Sequence, residues 1–124
     1  IGLIPDSAGT FFLPRLIGFG KASAIMMLGD KISAEKAEQM GMIYSVVASE
    51  ILMEEVNLKA LTLANMPTKA LGLTKRLLNQ SMNNNLEQQL ILESKLQIES
   101  ASTEDYAEGV AAFVEKRKPL FKGK

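Results

Sequence analysis

Apolar residues recur mostly at helical spacing along this chain, and glycines, prolines and short polar caps cut the pattern into segments. Residues 1–4 form an apolar run closed by Pro5, which reads as a strand end or a loop. A helix is predicted from residue 9 to about residue 17, with Pro14 bending or delimiting it, and Gly18 and Gly20 then interrupt the pattern. Residues 21–28, rich in Ala and Met, predict a buried helix stopped at Gly29-Asp30. Ser33 suits the N-cap of a short helix with Ala34, Ala37 and Met40 on one face and Gly41 at its end. Glu35 falls in its first turn, where a negative charge favours the helix dipole. Residues 43–47 are largely apolar and β-branched and predict a small strand or an extended link.

Ser49 is placed to cap a helix over about 50–65, and Pro67 suits the first turn of another that runs to about Ser81. Asn85 is placed to cap the helix over 86–101. There Leu86 and Leu90, Leu92 and Leu96, and Ile91 and Ile98 occupy three different sides. A surface helix carries one apolar stripe, so apolar residues all round predict burial on two sides. The cover is either a second chain or the interior of one larger domain. Ser102 and Asp105 have the spacing of a capping box for a last helix over about 104–118, ended by Pro119.

Composition narrows the chemistry more than the fold. The chain has 124 residues, 47% of them hydrophobic and 23% charged, enough to bury a core within at most one domain. It opens inside an apolar run with no Met, which reads as a fragment of something longer. Fourteen basic residues against fourteen acidic ones give no global attraction to nucleic acid or to an anionic membrane. The longest apolar runs fall far short of the ~20 residues of a membrane span. There is no Cys and no His. Zinc sites of the usual kind, thiol nucleophiles and a Ser-His triad are therefore excluded within this chain, and no metal is expected. The lack of Cys fits a cytoplasmic location.

Asp6 is the residue with chemical promise. It follows Pro5 at the end of an apolar element and precedes the small residues Ser7, Ala8 and Gly9. A carboxylate held against apolar walls becomes a stronger base through desolvation. An Asp after Pro is also a common turn and cap residue, and spacing alone leaves both readings open. Ser7 to Thr10 lacks the Gly-Lys-Ser/Thr ending of a nucleotide loop and reads as a tight turn. From Glu115 onward the tail carries Lys116, Arg117, Lys118, Lys122 and Lys124 against one Glu. That charge suits either a phosphorylated ligand or plain solvation. The seven Met residues read as core filler.

Three blocks carry a resemblance. Ile1-Gly2-Leu3-Ile4-Pro5-Asp6-Ser7-Ala8-Gly9-Thr10 followed by Leu13-Pro14-Arg15 is the first. Gly29-Asp30-Lys31-Ile32-Ser33-Ala34-Glu35-Lys36-Ala37 with Gly41-Met42-Ile43 and Val46-Val47 is the second, and Glu108-Gly109-Val110-Ala111-Ala112-Phe113-Val114-Glu115-Lys116-Arg117 is the third. In this order they resemble the enoyl-CoA hydratase/isomerase (crotonase) superfamily. The form Pro5-Asp6-Ser7 is most similar to the family's isomerases of phenylacetate degradation, and Ala8 departs from the Gly that many members carry.

The resemblance implies a chain that is mainly α, the C-terminal part of an α/β crotonase-like β-β-α spiral fold. Residues 1–48 end the core with the catalytic loop, and residues 49–124 form a helical oligomerisation region that builds a homotrimer or hexamer. It implies an acyl-CoA thioester substrate, no separate cofactor, Asp6 as the catalytic proton shuttle of an isomerase, and Phe113 and Lys116 as coenzyme A contacts. The oxyanion hole would lie outside this chain, so the 124 residues alone are expected to be inactive. The rival readings are an enoyl-CoA hydratase and a non-catalytic crotonase-like oligomerisation module.

Overall fold

The computed structural model describes residues 2–124, so the expectation for Ile1 lies outside the described residues. The chain divides into two compact units, one reaching Leu52 and the other running from Met53 to Lys124. Among the described residues there is no strand. Of the two expectations for residues 43–47, the strand does not form: bends at 43 and 44 lead into irregular, unpaired chain, because no second strand is available among the described residues.

In the first unit α1 is Gly9–Ile17, α2 is Phe19–Leu28 and α3 is Ala34–Met40. Pro14 does not end α1. Its missing N–H removes one bond, yet the helix closes with the Gly18 N–H donating to the Pro14 carbonyl at 3.0 Å. Gly20 lies inside α2, so the single residue Gly18, at φ 84°, makes the break between the two helices. α1 and α2 pack on each other and bury Ile17 and Ala22. Ser33 caps α3 as expected, its hydroxyl accepting from the Lys36 N–H at 3.2 Å. The Glu35 backbone N–H, then the Ser33 hydroxyl, hold the Glu35 carboxyl below its ordinary range. α3 ends in a Schellman motif with Gly41 at φ 82°. The Gly41 N–H meets the Glu38 carbonyl and the Met42 N–H meets the Ala37 carbonyl, both at 2.9 Å.

A 3₁₀ turn at Ser49–Ile51 leads into α4, Leu52–Ala64, with no side-chain cap, so the capping role expected of Ser49 is not taken up. In the second unit α5 is Thr68–Ser81, α6 is Leu86–Ala101 and α7 is Glu104–Val114. Pro67 stands at the cap position just outside α5. Asn85 and Gln88 form a complete capping box on α6, with bonds of 2.9 and 3.0 Å. α6 packs on α5 and α7, and its Leu96 is 1% exposed.

Leu86, Leu90, Ile91 and Ile98 on the other sides of α6 stay exposed, as do Met53, Val56, Leu58, Leu61 and Leu63 of α4. Buried hydrophobic side chains number only four among the described residues: Ile17, Ala22, Leu96 and Ala112. A chain with 47% hydrophobic composition normally covers far more than this.

Candidate active site

In the first unit the candidate acid stands on a strained turn. Ser7 has φ 51° and Ala8 φ 61°, two consecutive non-glycine residues in left-handed backbone. Each costs on the order of 1 kcal/mol. The turn is closed by the Gly9 N–H donating to the Asp6 carbonyl at 2.8 Å, and Ala8 stands at the N-cap of α1 without a capping side chain. The Ser7 hydroxyl donates to Asp6 Oδ1 at 3.2 Å, so it serves as a hydrogen-bond partner of the carboxylate. Asp6 is exposed in this chain, and the apolar walls expected around it are not supplied by the first unit. After the turn, Arg15 lies 3.7 Å over the Phe11 ring and donates to the Phe11 carbonyl at 2.8 Å, which fixes the middle of α1.

The second unit brings Phe113 and Lys116 together on one turn. α7 ends at Val114, the last of its apolar positions and four residues short of the end expected just before Pro119, because Lys116 takes φ 54°. The Lys116 N–H donates to the Phe113 carbonyl at 3.3 Å and the Arg117 N–H to the Ala112 carbonyl at 3.0 Å. These are the two bonds of a Schellman motif, the same geometry as at the end of α3, with Lys where α3 has Gly41. Phe113 is 85% exposed and lines an apolar groove of about 360 Å³ with Phe121, Tyr106, Val110 and Pro67. Gly109 lies under the Phe121 ring, where an added Cβ would sit at 3.6 Å, in ordinary van der Waals contact.

Beyond Lys116 the tail turns back along α7 and is tied down by two acids. Glu108 receives Arg117 in a two-pronged pair, Nη1 to Oε1 at 2.5 Å and Nη2 to Oε2 at 2.8 Å. Glu108 Oε1 also accepts the Leu120 N–H at 2.8 Å, and Arg117 Nε reaches Glu115 at 2.5 Å. The Arg117 hydrogen bonds, then the Leu120 N–H, push the Glu108 carboxyl down to about 2, and Arg117 is raised in turn.

Asp105, only 3% exposed, accepts the Lys122 N–H at 2.6 Å and the Gly123 N–H at 2.8 Å, while its own N–H donates to the Lys124 carbonyl at 2.9 Å. The capping box expected of Ser102 and Asp105 is therefore not formed. Thr103 caps α7, accepting from the Tyr106 N–H at 3.0 Å, and Ser102 donates to the Glu99 carbonyl. Sequence reading missed Asp105, Glu108 and Arg117 as a group. The signal available was an Arg in a basic tail nine residues after a Glu. The side chains of Lys116, Lys118, Lys122 and Lys124 remain at the surface. Among the described residues no cluster of acids fits a metal ion, and no helix is long and apolar enough to cross a membrane.

The family model for enoyl-CoA hydratase/isomerase matches residues 1–124, the whole chain. The chain belongs to that family. It is similar to the 1,2-epoxyphenylacetyl-CoA isomerase of Escherichia coli K12, with 44% identity over all of this chain and 47% of the relative. It is also similar to a probable enoyl-CoA hydratase of Rhodobacter capsulatus, with 39% identity over all of this chain and 48% of the relative. Among solved structures, an enoyl-CoA hydratase subunit I from Geobacillus kaustophilus HTA426 superposes with a TM-score of 0.95 at 40% identity. That match covers 99% of this chain and 48% of the other. The chain thus spans about half the length of the curated relatives it matches, and it is the helical, C-terminal part of a crotonase-like fold. The exposed apolar side chains of α4 and α6 fit a chain whose relatives are twice as long.

Proposed function

We propose that this chain is the C-terminal part of an acyl-CoA isomerase in which Asp6 shuttles a proton between carbons of a thioester-activated chain. The observation that carries the reading is the Asp6 turn, held on two left-handed residues in a chain 44% identical to an epoxyphenylacetyl-CoA isomerase. In double-bond isomerisation the Asp6 carboxylate takes a proton from C2 of a 3-enoyl thioester. The C–H electron pair moves into a dienolate with its charge on the thioester oxygen. Asp6 then returns the proton to C4, leaving the 2-enoyl product and an ionised carboxylate. Two backbone N–H donors stabilise the enolate oxygen. Loss of one such donor costs about 3 kcal/mol in comparable sites. These donors come from the part of the relatives' length that this chain does not span, so the 124 residues alone lack activity. Phe113 and Lys116 bind coenzyme A, the reaction takes no other cofactor or metal, and the complete protein works as a trimer or hexamer in the cytoplasm.

A hydratase reading has its own support in the 39% identity to a probable enoyl-CoA hydratase. Offering the complete protein 3-hexenoyl-CoA and 2-hexenoyl-CoA separates the two. Conversion of the first to its 2-enoyl isomer, faster than hydration of the second, is expected. Rapid hydration of the second with no isomerisation of the first overturns the isomerase reading.

A further inference from the structure

We propose that Glu108 and Arg117 are positioning residues that hold Lys116 ready for the phosphates of the coenzyme A nucleotide, an inference that rests on the reading of Lys116 given above. Lys116 occupies left-handed backbone at φ 54°, where the equivalent residue of α3 is Gly41. Strain kept at a position that a glycine would fill more easily points to a use for the side chain. Both neighbours of this residue are immobilised. On one side the Glu115 N–H donates to the Ala111 carbonyl at 2.9 Å, and the Lys116 N–H itself meets the carbonyl of Phe113, whose ring lines the apolar groove. On the other, the Arg117 N–H is bonded to the carbonyl of Ala112, 1% exposed, and its guanidinium is forked onto Glu108 and tied to Glu115.

The charges are sorted by the same contacts. Glu108 and Glu115 both engage Arg117, which leaves Lys116 outside any ion pair among the described residues. A flexible lysine ordinarily loses conformational freedom on meeting a phosphate. Fixing its backbone beforehand removes part of that cost, and the apolar groove that Phe113 lines, three residues back along the chain, offers a face for a planar base.

The test measures dissociation constants of hexanoyl-CoA and of hexanoyl-pantetheine, which lacks the nucleotide and its phosphates, on the complete protein. Lys116→Ala and Glu108→Gln are each expected to weaken hexanoyl-CoA about fivefold, one charge-assisted contact at a solvated site, and to leave hexanoyl-pantetheine unchanged. Arg117→Lys, which keeps the charge but loses the fork, is expected to follow Glu108→Gln and stands in for it if that variant does not fold. A loss in Lys116→Ala with wild-type binding in Glu108→Gln and Arg117→Lys overturns the positioning role and leaves the coenzyme A reading intact. Wild-type binding in Lys116→Ala removes that reading and the inference with it. Equal weakening of both ligands in Glu108→Gln shows a merely structural role and also overturns the proposal.

Discussion

Replacing Asp105 by Asn tests whether a buried acid holds the C-terminal tail against α7. The side chain is 3% exposed, and its two oxygens accept the Lys122 and Gly123 N–H groups at 2.6 and 2.8 Å. A hydrogen bond to a charged group is worth about 1.5 to 3 kcal/mol net. Asn keeps one accepting oxygen but sets an NH₂ donor against the second backbone N–H, leaving two donors facing each other. The expected loss is about 2 kcal/mol, which is roughly a 30-fold rise in the population of the undocked tail. Amide hydrogen exchange reads this directly. Protection at Lys122 and Gly123 is expected to fall about 30-fold, while the Ala22 N–H, bonded to the Gly18 carbonyl in the other unit, keeps its wild-type rate. Protection at Lys122 and Gly123 within about threefold of wild type refutes the reasoning, because the tail would then be held by something other than Asp105.

Two further outcomes follow from the same turn. Glu108 titrates at about 2 in the folded chain against an ordinary value of 4.5, so its bonds stabilise the docked tail above the ordinary range and are lost as pH falls toward 2. Exchange at the Leu120 N–H, corrected for its intrinsic rate, should therefore accelerate between pH 4.5 and 2, and Glu108→Gln should abolish that pH dependence. Lys116→Gly relieves left-handed strain of about 1 to 2 kcal/mol and loses about 0.5 to 1 kcal/mol to the freer unfolded chain. A small net gain in stability by urea unfolding is expected, together with weaker hexanoyl-CoA binding. A loss of stability would mean that φ 54° carries no strain.

Legibility tracked the range over which each interaction acts. The helices, the Ser33 and Asn85 caps and the Gly41 stop depend on neighbours three to five residues away, and the local pattern displays them. The errors fall where a distant partner decides. Residues 43–47 have the β-branched character of a strand but nothing to pair with, so of the two readings left open only an unpaired link forms. α7 stops at Val114 because the following turn is anchored by the Glu108–Arg117 pair and the returning tail, neither of which leaves a periodic trace. Asp105 has the look of a cap residue and is used for amides seventeen and eighteen residues away. At the candidate site, Asp6 stood out by its place after Pro5. The left-handed pair that shapes its turn was invisible, since Ser7 and Ala8 carry no signal for positive φ.

Asp6→Asn in the complete protein separates a proton shuttle from a residue that only shapes its turn. Asn keeps the size of the side chain but cannot accept the proton. A proton shuttle at Asp6 requires that kcat for isomerisation of 3-hexenoyl-CoA fall at least about 100-fold, with hexanoyl-CoA still bound at wild-type affinity. A kcat within tenfold of wild type would contradict it.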